Sequence, residues 1–287
     1  MLNWRAYLKL MRFHRPIGIL LLWWPTAWAL WLAHQGSPPL PLIVLFLLGT
    51  IFMRAAGCVV NDIADRHIDL HVQRTKNRPL TAGDVGLLEA LVLLCMLLFV
   101  SLLILLQLPK VCFYYALMAV SITVLYPFCK RFLQSPQLVL GIAFSMGIPM
   151  AYAASNRMPD KTMLILLLIN FLWIIAYDTE YAMVDREDDL RIGVKSTAIL
   201  FAAYDKLIIA ILQFLFHFCW LPLGVMLTSL SFWFCWGIAG LNLLYQQKLL
   251  SKRKPADCLR AFSSNHWYGL IMWIAITTVW PPNFVLF

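Results

Sequence analysis

Charge is what this chain has least of. Only 13% of its 287 residues are Asp, Glu, Lys or Arg, where a soluble domain carries about 25%. That shortage comes with 62% hydrophobic residues, against a usual ~45–50%, and it excludes an ordinary water-soluble fold. Also missing are the ~10-residue segments of alternating polarity that mark a membrane β-barrel. The seven cysteines, Cys58, Cys95, Cys112, Cys129, Cys219, Cys235 and Cys258, form no CxxC pair, so they read as small buried apolar residues. The six histidines make no HExxH or paired-ligand spacing. No zinc or haem site is expected, and His217, inside an apolar run, reads as a polar contact between helices. The opening MLNWRAYLKLMRFHRP is too long and mixed for the n-region of a signal peptide. It reads as a basic interfacial helix over about residues 1–14.

What is present is long apolar sequence. Ile17–Leu32, Leu87–Leu106 and Met163–Ile175 are continuous runs on the scale of the ~20 residues that cross a ~30 Å hydrocarbon core. The expectation is an all-α polytopic membrane protein, a single domain over 1–287. Its spans fall at roughly 16–33, 41–60, 87–107, 111–128, 136–153, 162–178, 205–221, 224–246 and 265–285. With nine spans, about 20 of the 23 Lys/Arg residues fall on one side, and the other keeps only Lys110, Arg157 and Lys161. The positive-inside rule makes that side the cytoplasm, with the N-terminus there and the C-terminus opposite. The net charge of +9 then reflects topology and contact with anionic lipid, and no nucleic-acid partner is needed.

The acids follow the same side, with Asp160 the exception among 14, although topology does not demand it. They are also clustered. Asp62, Asp65 and Asp69 stand at i, i+3, i+7, with Asn61 four residues before Asp65; Asp178, Asp185 and Asp189 stand at i, i+7, i+11. Each set lies on one face of a helix where a span meets the cytoplasm. The sets echo each other: Asp65-Arg66-x-x-Asp69-Leu70 and Asp185-Arg186-x-x-Asp189-Leu190 share DRxxDL, 120 residues apart. Two carboxylate stripes facing one compartment offer oxygen ligands suited to Mg²⁺ or Ca²⁺, and Mg²⁺ typically takes one or two carboxylates and fills its shell with water and substrate phosphates. Arg74, Lys76 and Arg78 follow the first stripe, Arg191 and Lys195 the second. Acids for a metal beside bases for free oxygens is the composition of a diphosphate site.

These two segments, AGCVVNDIADRHIDLHVQRTKNRPL and AYDTEYAMVDREDDLRIGVKST, resemble the signature regions of the UbiA-type intramembrane prenyltransferases. Residues 61–80 match NDxxDxxxD through Asn61, Asp62, Asp65 and Asp69; residues 178–197 match DxxxxxxDxxxD through Asp178, Asp185 and Asp189. The similarity runs the whole length, including MRFHRPIGILLLWWPTAWALW and LYPFCKR, and is closest to members that use 4-hydroxybenzoate in ubiquinone biosynthesis. The resemblance implies nine transmembrane helices around a central cavity, capped on the cytoplasmic side by the motif loops, in a bacterial inner membrane. It implies Mg²⁺-dependent transfer of a polyprenyl group from polyprenyl diphosphate to the ring carbon beside the acceptor hydroxyl. Asp65, Asp69, Asp185 and Asp189 then hold the metal through the diphosphate oxygens, supported by Asn61, Asp62 and Asp178. Arg12, Lys76, Arg78 and Lys195 hold the remaining oxygens. Lys130 and Arg131 are the candidates for the acceptor carboxylate, Arg131 preferred for its bidentate fork, and Tyr126 lines the pocket or shields the cation. One rival reading is a member of the same superfamily with another acceptor, such as a naphthoate, homogentisate or haem, against which the close match of the second signature argues. The other is a transporter, which fits poorly because the acids sit at one face rather than near the midplane, and no span is visibly broken.

Overall fold

The computed structural model describes residues 3–280; positions 281–285 of the expected ninth span, and the C-terminus itself, lie outside the described residues. Every regular element described is helical, as hydrocarbon requires of a chain that must satisfy its own backbone groups. A short helix α1 (Trp4–Leu10) precedes α2 (Ile17–Ala33), α3 (Leu40–Asp65), α4 (Leu87–Leu105) and α5 (Lys110–Phe132). Then come α6 (Pro136–Ser145), α7 (Gly147–Ala154), α8 (Lys161–Ile192), α9 (Thr197–Leu200), α10 (Asp205–Phe218), α11 (Leu221–Leu227), α12 (Leu230–Leu250) and α13 (Pro255–Thr277). Pairing α6 with α7 and α10 with α11 gives nine passages among the described residues. Six of them are long and apolar enough to span on length and composition alone, and the chain is an integral membrane protein.

Several boundaries move. Residues 224–227 finish the seventh passage instead of opening the eighth, because Thr228 at φ 49° ends α11. The ninth begins at Pro255, ten residues before the expected start; proline at a first helical position costs nothing, since its missing N–H would be unpaired there anyway. Two passages are broken after all, at Met146 and at Cys219–Trp220. The largest change concerns the acids. α3 runs to Asp65, and α8 runs without interruption to Ile192, where Gly193 at φ 73° closes it. The acids of the second signature therefore all lie on helix, and the cap over this end of the bundle is built mainly from residues 66–86.

The centre is aromatic. Trp28, Trp173 and Trp220 are fully buried, with Trp28 centred 5.2 Å from Trp173 and 5.1 Å from Trp220. The Trp28 indole donates to the Gly269 carbonyl at 3.0 Å, so α2 is fixed against α13 by packing and by a hydrogen bond. Gly269 permits the approach: a Cβ there would lie 2.2 Å from the Trp24 ring. His217 makes the expected interhelical contact, with Nδ1 3.2 Å from the Tyr268 hydroxyl and its ring stacked on Trp236. All seven cysteines are free. In contrast, α4 and α5 turn rows of Leu, Phe and Val outward, which is the surface lipid covers.

Candidate active site

The ends of α3 and α8 converge on one cavity of about 660 Å³. α3 contributes Arg54, Cys58, Asn61, Asp62 and Asp65, and α8 contributes Tyr177, Asp178, Tyr181, Asp185 and Asp189. The i, i+3/i+4, i+7 spacing puts each set on one helical face, and the two faces are opposed across the cavity. Asp69 joins from a single 3₁₀ turn after α3.

The first stripe is heavily paired. Arg12 donates to both Asp62 oxygens at 2.7 and 2.9 Å. Arg78 bridges Asp62 at 3.0 Å and Asp69 at 2.6 Å. Lys130 reaches Asp65 Oδ2 at 3.2 Å and Asn61 Oδ1 at 3.4 Å, with its ammonium 5.1 Å from the centre of the Tyr126 ring. Asp62, Asp65 and Asp69 are all buried, and buried carboxylates need such partners. Burial raises the Asp69 carboxyl above its ordinary range; the Arg78 charge pulls it down and Asp62 pushes it up again.

The second stripe is open by comparison. Asp185 is held by Arg74, whose Nε lies 2.8 Å from Oδ1 and whose Nη2 also donates to Oδ2; that guanidinium rests 4.6 Å from the centre of the Tyr181 ring. The Gln73 amide donates to Asp188 at 2.9 Å. Residues 73 and 74, which follow the first signature, therefore strap across to the second. Neither Asp178 nor Asp189 makes an ion pair among the described residues.

The sequence candidates separate on this geometry. Arg12, Arg78, Tyr126, Lys130 and Lys195 line the cavity with the acids. Lys195 is tied back, with its ammonium donating to the Phe132 carbonyl at 2.9 Å. Lys76 is exposed and does not line the cavity. Arg131 does not line it either: its guanidinium donates to the Ala64 carbonyl at 3.1 Å and lies over Phe128, facing a separate groove beside His67 and His71. Of the two expected acceptor cations, Lys130 thus lines the cavity and the preferred one, Arg131, does not, because it closes the end of α3.

The residue missed in the sequence is Arg54. It belongs to the cavity wall on the membrane side of the acids, eleven residues before Asp65 on the same helix, or about 16 Å by helical rise. Its Nε is buried without a hydrogen-bond partner, and its guanidinium faces the Phe144 ring at 5.5 Å. The space for it comes from Gly18 on α2, where a Cβ would lie 2.5 Å from Arg54 Nε and Nη2. A single arginine inside an expected span was the available signal, since intramembrane charges mark function by default.

Four unpartnered buried polar atoms belong to residues of the cavity wall: Arg54 Nε, Asp65 Oδ1, the Tyr177 hydroxyl and Ser196 Oγ. Six further such atoms among the described residues lie away from it, but buried polar atoms are normally satisfied, and a ligand in the cavity would supply partners for these four. No three acids stand close enough to form a ready ligand cluster among the described residues.

Residues 22–286 match the UbiA prenyltransferase family. The chain is 58% identical over 277 residues to the 4-hydroxybenzoate octaprenyltransferase of Legionella pneumophila strain Philadelphia 1, covering 96% of this chain and 98% of the relative. Among solved structures, a UbiA homologue from Aeropyrum pernix K1 superposes with a TM-score of 0.77 at 21% identity, over 90% of this chain and 97% of that one. A homologue from Archaeoglobus fulgidus bound to GPP and Mg²⁺ gives 0.70 at 19% identity, over 95% and 99%.

Proposed function

The chain belongs to the UbiA prenyltransferase family, and we propose that it transfers a polyprenyl group from polyprenyl diphosphate to the ring carbon beside the hydroxyl of 4-hydroxybenzoate. The observation that carries the reading is that one cavity is lined by both acid stripes at its mouth and by Arg54 on its membrane side. The relatives' name supports the acceptor and a long prenyl chain. The retention of positive charge around the mouth supports a cytoplasmic active face, in a bacterial inner membrane.

The donor set fits a divalent cation, and Mg²⁺ in particular. Asp65 keeps one buried oxygen free of any hydrogen bond, Asp178 and Asp189 have no paired cation, and hard oxygen donors suit that ion. The lack of a ready three-acid cluster accords with a metal whose shell is completed by diphosphate and water. Asp65, Asp69, Asp185 and Asp189 would hold it, with Asn61 and Asp178 in support; Asp62 instead fixes Arg12 and Arg78. When bound, the cation supplies neutralising charge to the departing diphosphate.

The chain's own residues do the rest. Arg12, Arg74 and Arg78 stand among the acids, where they stabilise the diphosphate as the allylic C1–O bond breaks and its electron pair leaves with the oxygen. Lys130 sits at the acid mouth, paired with Asp65, and serves this end rather than the acceptor carboxylate. Arg54 holds that carboxylate, which points the hydroxyl end of the ring toward the mouth. The carbon beside the hydroxyl then bonds to C1 and loses its proton. Phe144 and Tyr126 wall the ring. A cavity of about 660 Å³ is of the size that encloses a small ligand, so most of a long prenyl tail lies among the apolar helices and lipid.

Membranes containing the protein, given radiolabelled 4-hydroxybenzoate, a polyprenyl diphosphate and Mg²⁺, should yield a lipid-extractable aromatic product. Its absence where a control enzyme is active would overturn the reading. Arg54→Ala should raise the acceptor KM at least about tenfold, the scale of one lost charge-assisted hydrogen bond.

A further inference from the structure

Of the four unpartnered polar atoms in the cavity wall, three are accounted for. Asp65 Oδ1 and Ser196 Oγ belong to the mouth, where cation and diphosphate oxygens arrive, and Arg54 Nε meets a carboxylate. The Tyr177 hydroxyl has no role yet. Tyr177 is 2% exposed, lines the cavity, and has no hydrogen-bond partner. Its ring is held edge-on by Trp173, centred 5.4 Å away, and by Phe262 at 6.0 Å. With aromatic neighbours on two sides the ring cannot swing its hydroxyl out to solvent. A phenylalanine would fill the same space without burying a lone hydroxyl, so the oxygen is explained by something that enters the cavity.

Its depth says which end of the acceptor it meets. Tyr177 lies eight residues before Asp185 on α8, about 12 Å toward the membrane by helical rise. Arg54 is displaced the same way from Asp65 on α3, and both residues line the cavity. The reacting carbon must meet C1 at the diphosphate, by the mouth, and that carbon neighbours the phenol oxygen. The opposite end of the ring, the carboxylate, therefore lies on the Arg54 and Tyr177 side. We propose that Tyr177 is a specificity-determining residue: its hydroxyl donates a hydrogen bond to the acceptor carboxylate that Arg54 also holds, and so selects carboxyphenols over uncharged phenols. The proposal rests on the acceptor reading above. A tyrosine there adds discrimination that charge alone lacks, because an unpaired donor penalises an analogue unable to accept.

The test compares wild type with Tyr177→Phe in detergent or nanodiscs, using 4-hydroxybenzoate and 4-ethylphenol, which has no acceptor at that end of the ring, as acceptors or competitive inhibitors, at fixed polyprenyl diphosphate and Mg²⁺. The variant should raise the KM for 4-hydroxybenzoate about tenfold, with kcat and the KM for the diphosphate within about twofold, while the constant for 4-ethylphenol does not rise. Its Tm should equal or exceed that of wild type. An unchanged KM for 4-hydroxybenzoate, an equal rise for 4-hydroxybenzoate and 4-ethylphenol, or a clear fall in Tm would each overturn the proposal. Failure of wild type to use 4-hydroxybenzoate would instead defeat the functional reading beneath it.

Discussion

The two copies of Asp-Arg-x-x-Asp-Leu carry the same letters and leave the membrane differently. In the first copy the helix stops at Asp65, and Asp69 follows on a 3₁₀ turn. In the second the helix carries both acids and ends only at Gly193. The arginines diverge as well. Arg66 turns to His67 at the surface, whereas Arg186 pairs with Asp205, which Arg253 also grips. The second stripe is fixed to a rigid helix, backed by the buried Glu180, which accepts from Gln213 and Asn265. The first stripe depends on ion pairs for its shape. One copy is thus a platform and the other a paired, adjustable jaw, and Arg74 spans the gap between them.

The comparison would break if one stripe proved dispensable. Asp65→Ala and Asp185→Ala should each lower kcat by about a hundredfold or more, the scale of losing one preorganised electrostatic group, with the protein still inserted. Full turnover in either variant, measured with saturating substrates, would remove that stripe from the site. The next effect separates jaw from strap. Arg78→Ala leaves Asp69 without a cation and Asp62 with only Arg12, so it should lower Tm and raise the KM for polyprenyl diphosphate. Arg74→Ala frees an acid on a helix held from behind. It should raise the same KM by about tenfold with little change in Tm. Equal thermal losses would mean that both stripes rely on ion pairs alike.

How much of this was legible in the sequence follows from the same contrast. Helical spacing placed Asp62 and Asp65 on one face, and Asp178, Asp185 and Asp189 on another, because periodicity survives whatever packs against it. The point where each helix ends did not show. DRxxDL is common to both copies, and the decision lies downstream, in Gly193 for one and in the ion pairs of Asp69 and Arg78 for the other. Local propensity cannot report an ion pair made by tertiary contact. Arg54 was visible as a lone arginine inside an expected span, but its place in the cavity was not, because its room depends on Gly18, thirty-six residues earlier in the chain.

Arg131 gives a subtler effect, and it sharpens what holds the jaw in place. Its guanidinium does not line the cavity and donates to the carbonyl of Ala64, the residue before Asp65. Cations near a helix C-terminus stabilise its unpaired carbonyls. Arg131→Ala should therefore lower kcat by letting Asp65 drift, while the acceptor KM stays near wild type. A rise in acceptor KM with kcat intact would restore Arg131 as the carboxylate partner and displace Arg54.

The smallest effect is expected one turn from the strap. Arg74, Lys76 and Arg78 look equivalent as a basic tail, yet they lie in a run of turns where Thr75 and Lys76 both donate back to the Val72 carbonyl. That local winding brings residues 74 and 78, four apart, to the same side and sends residue 76 outward. Lys76 is exposed and pairs with no acid among the described residues. An exposed charge of that kind contributes within about 0.5 kcal/mol. Lys76→Ala should keep kcat and both KM values within about twofold, read in the same assay as Arg74→Ala. A tenfold rise in the KM for the diphosphate would mean that the loop rewinds when substrate enters, making the jaw mobile where the acids of α8 are not.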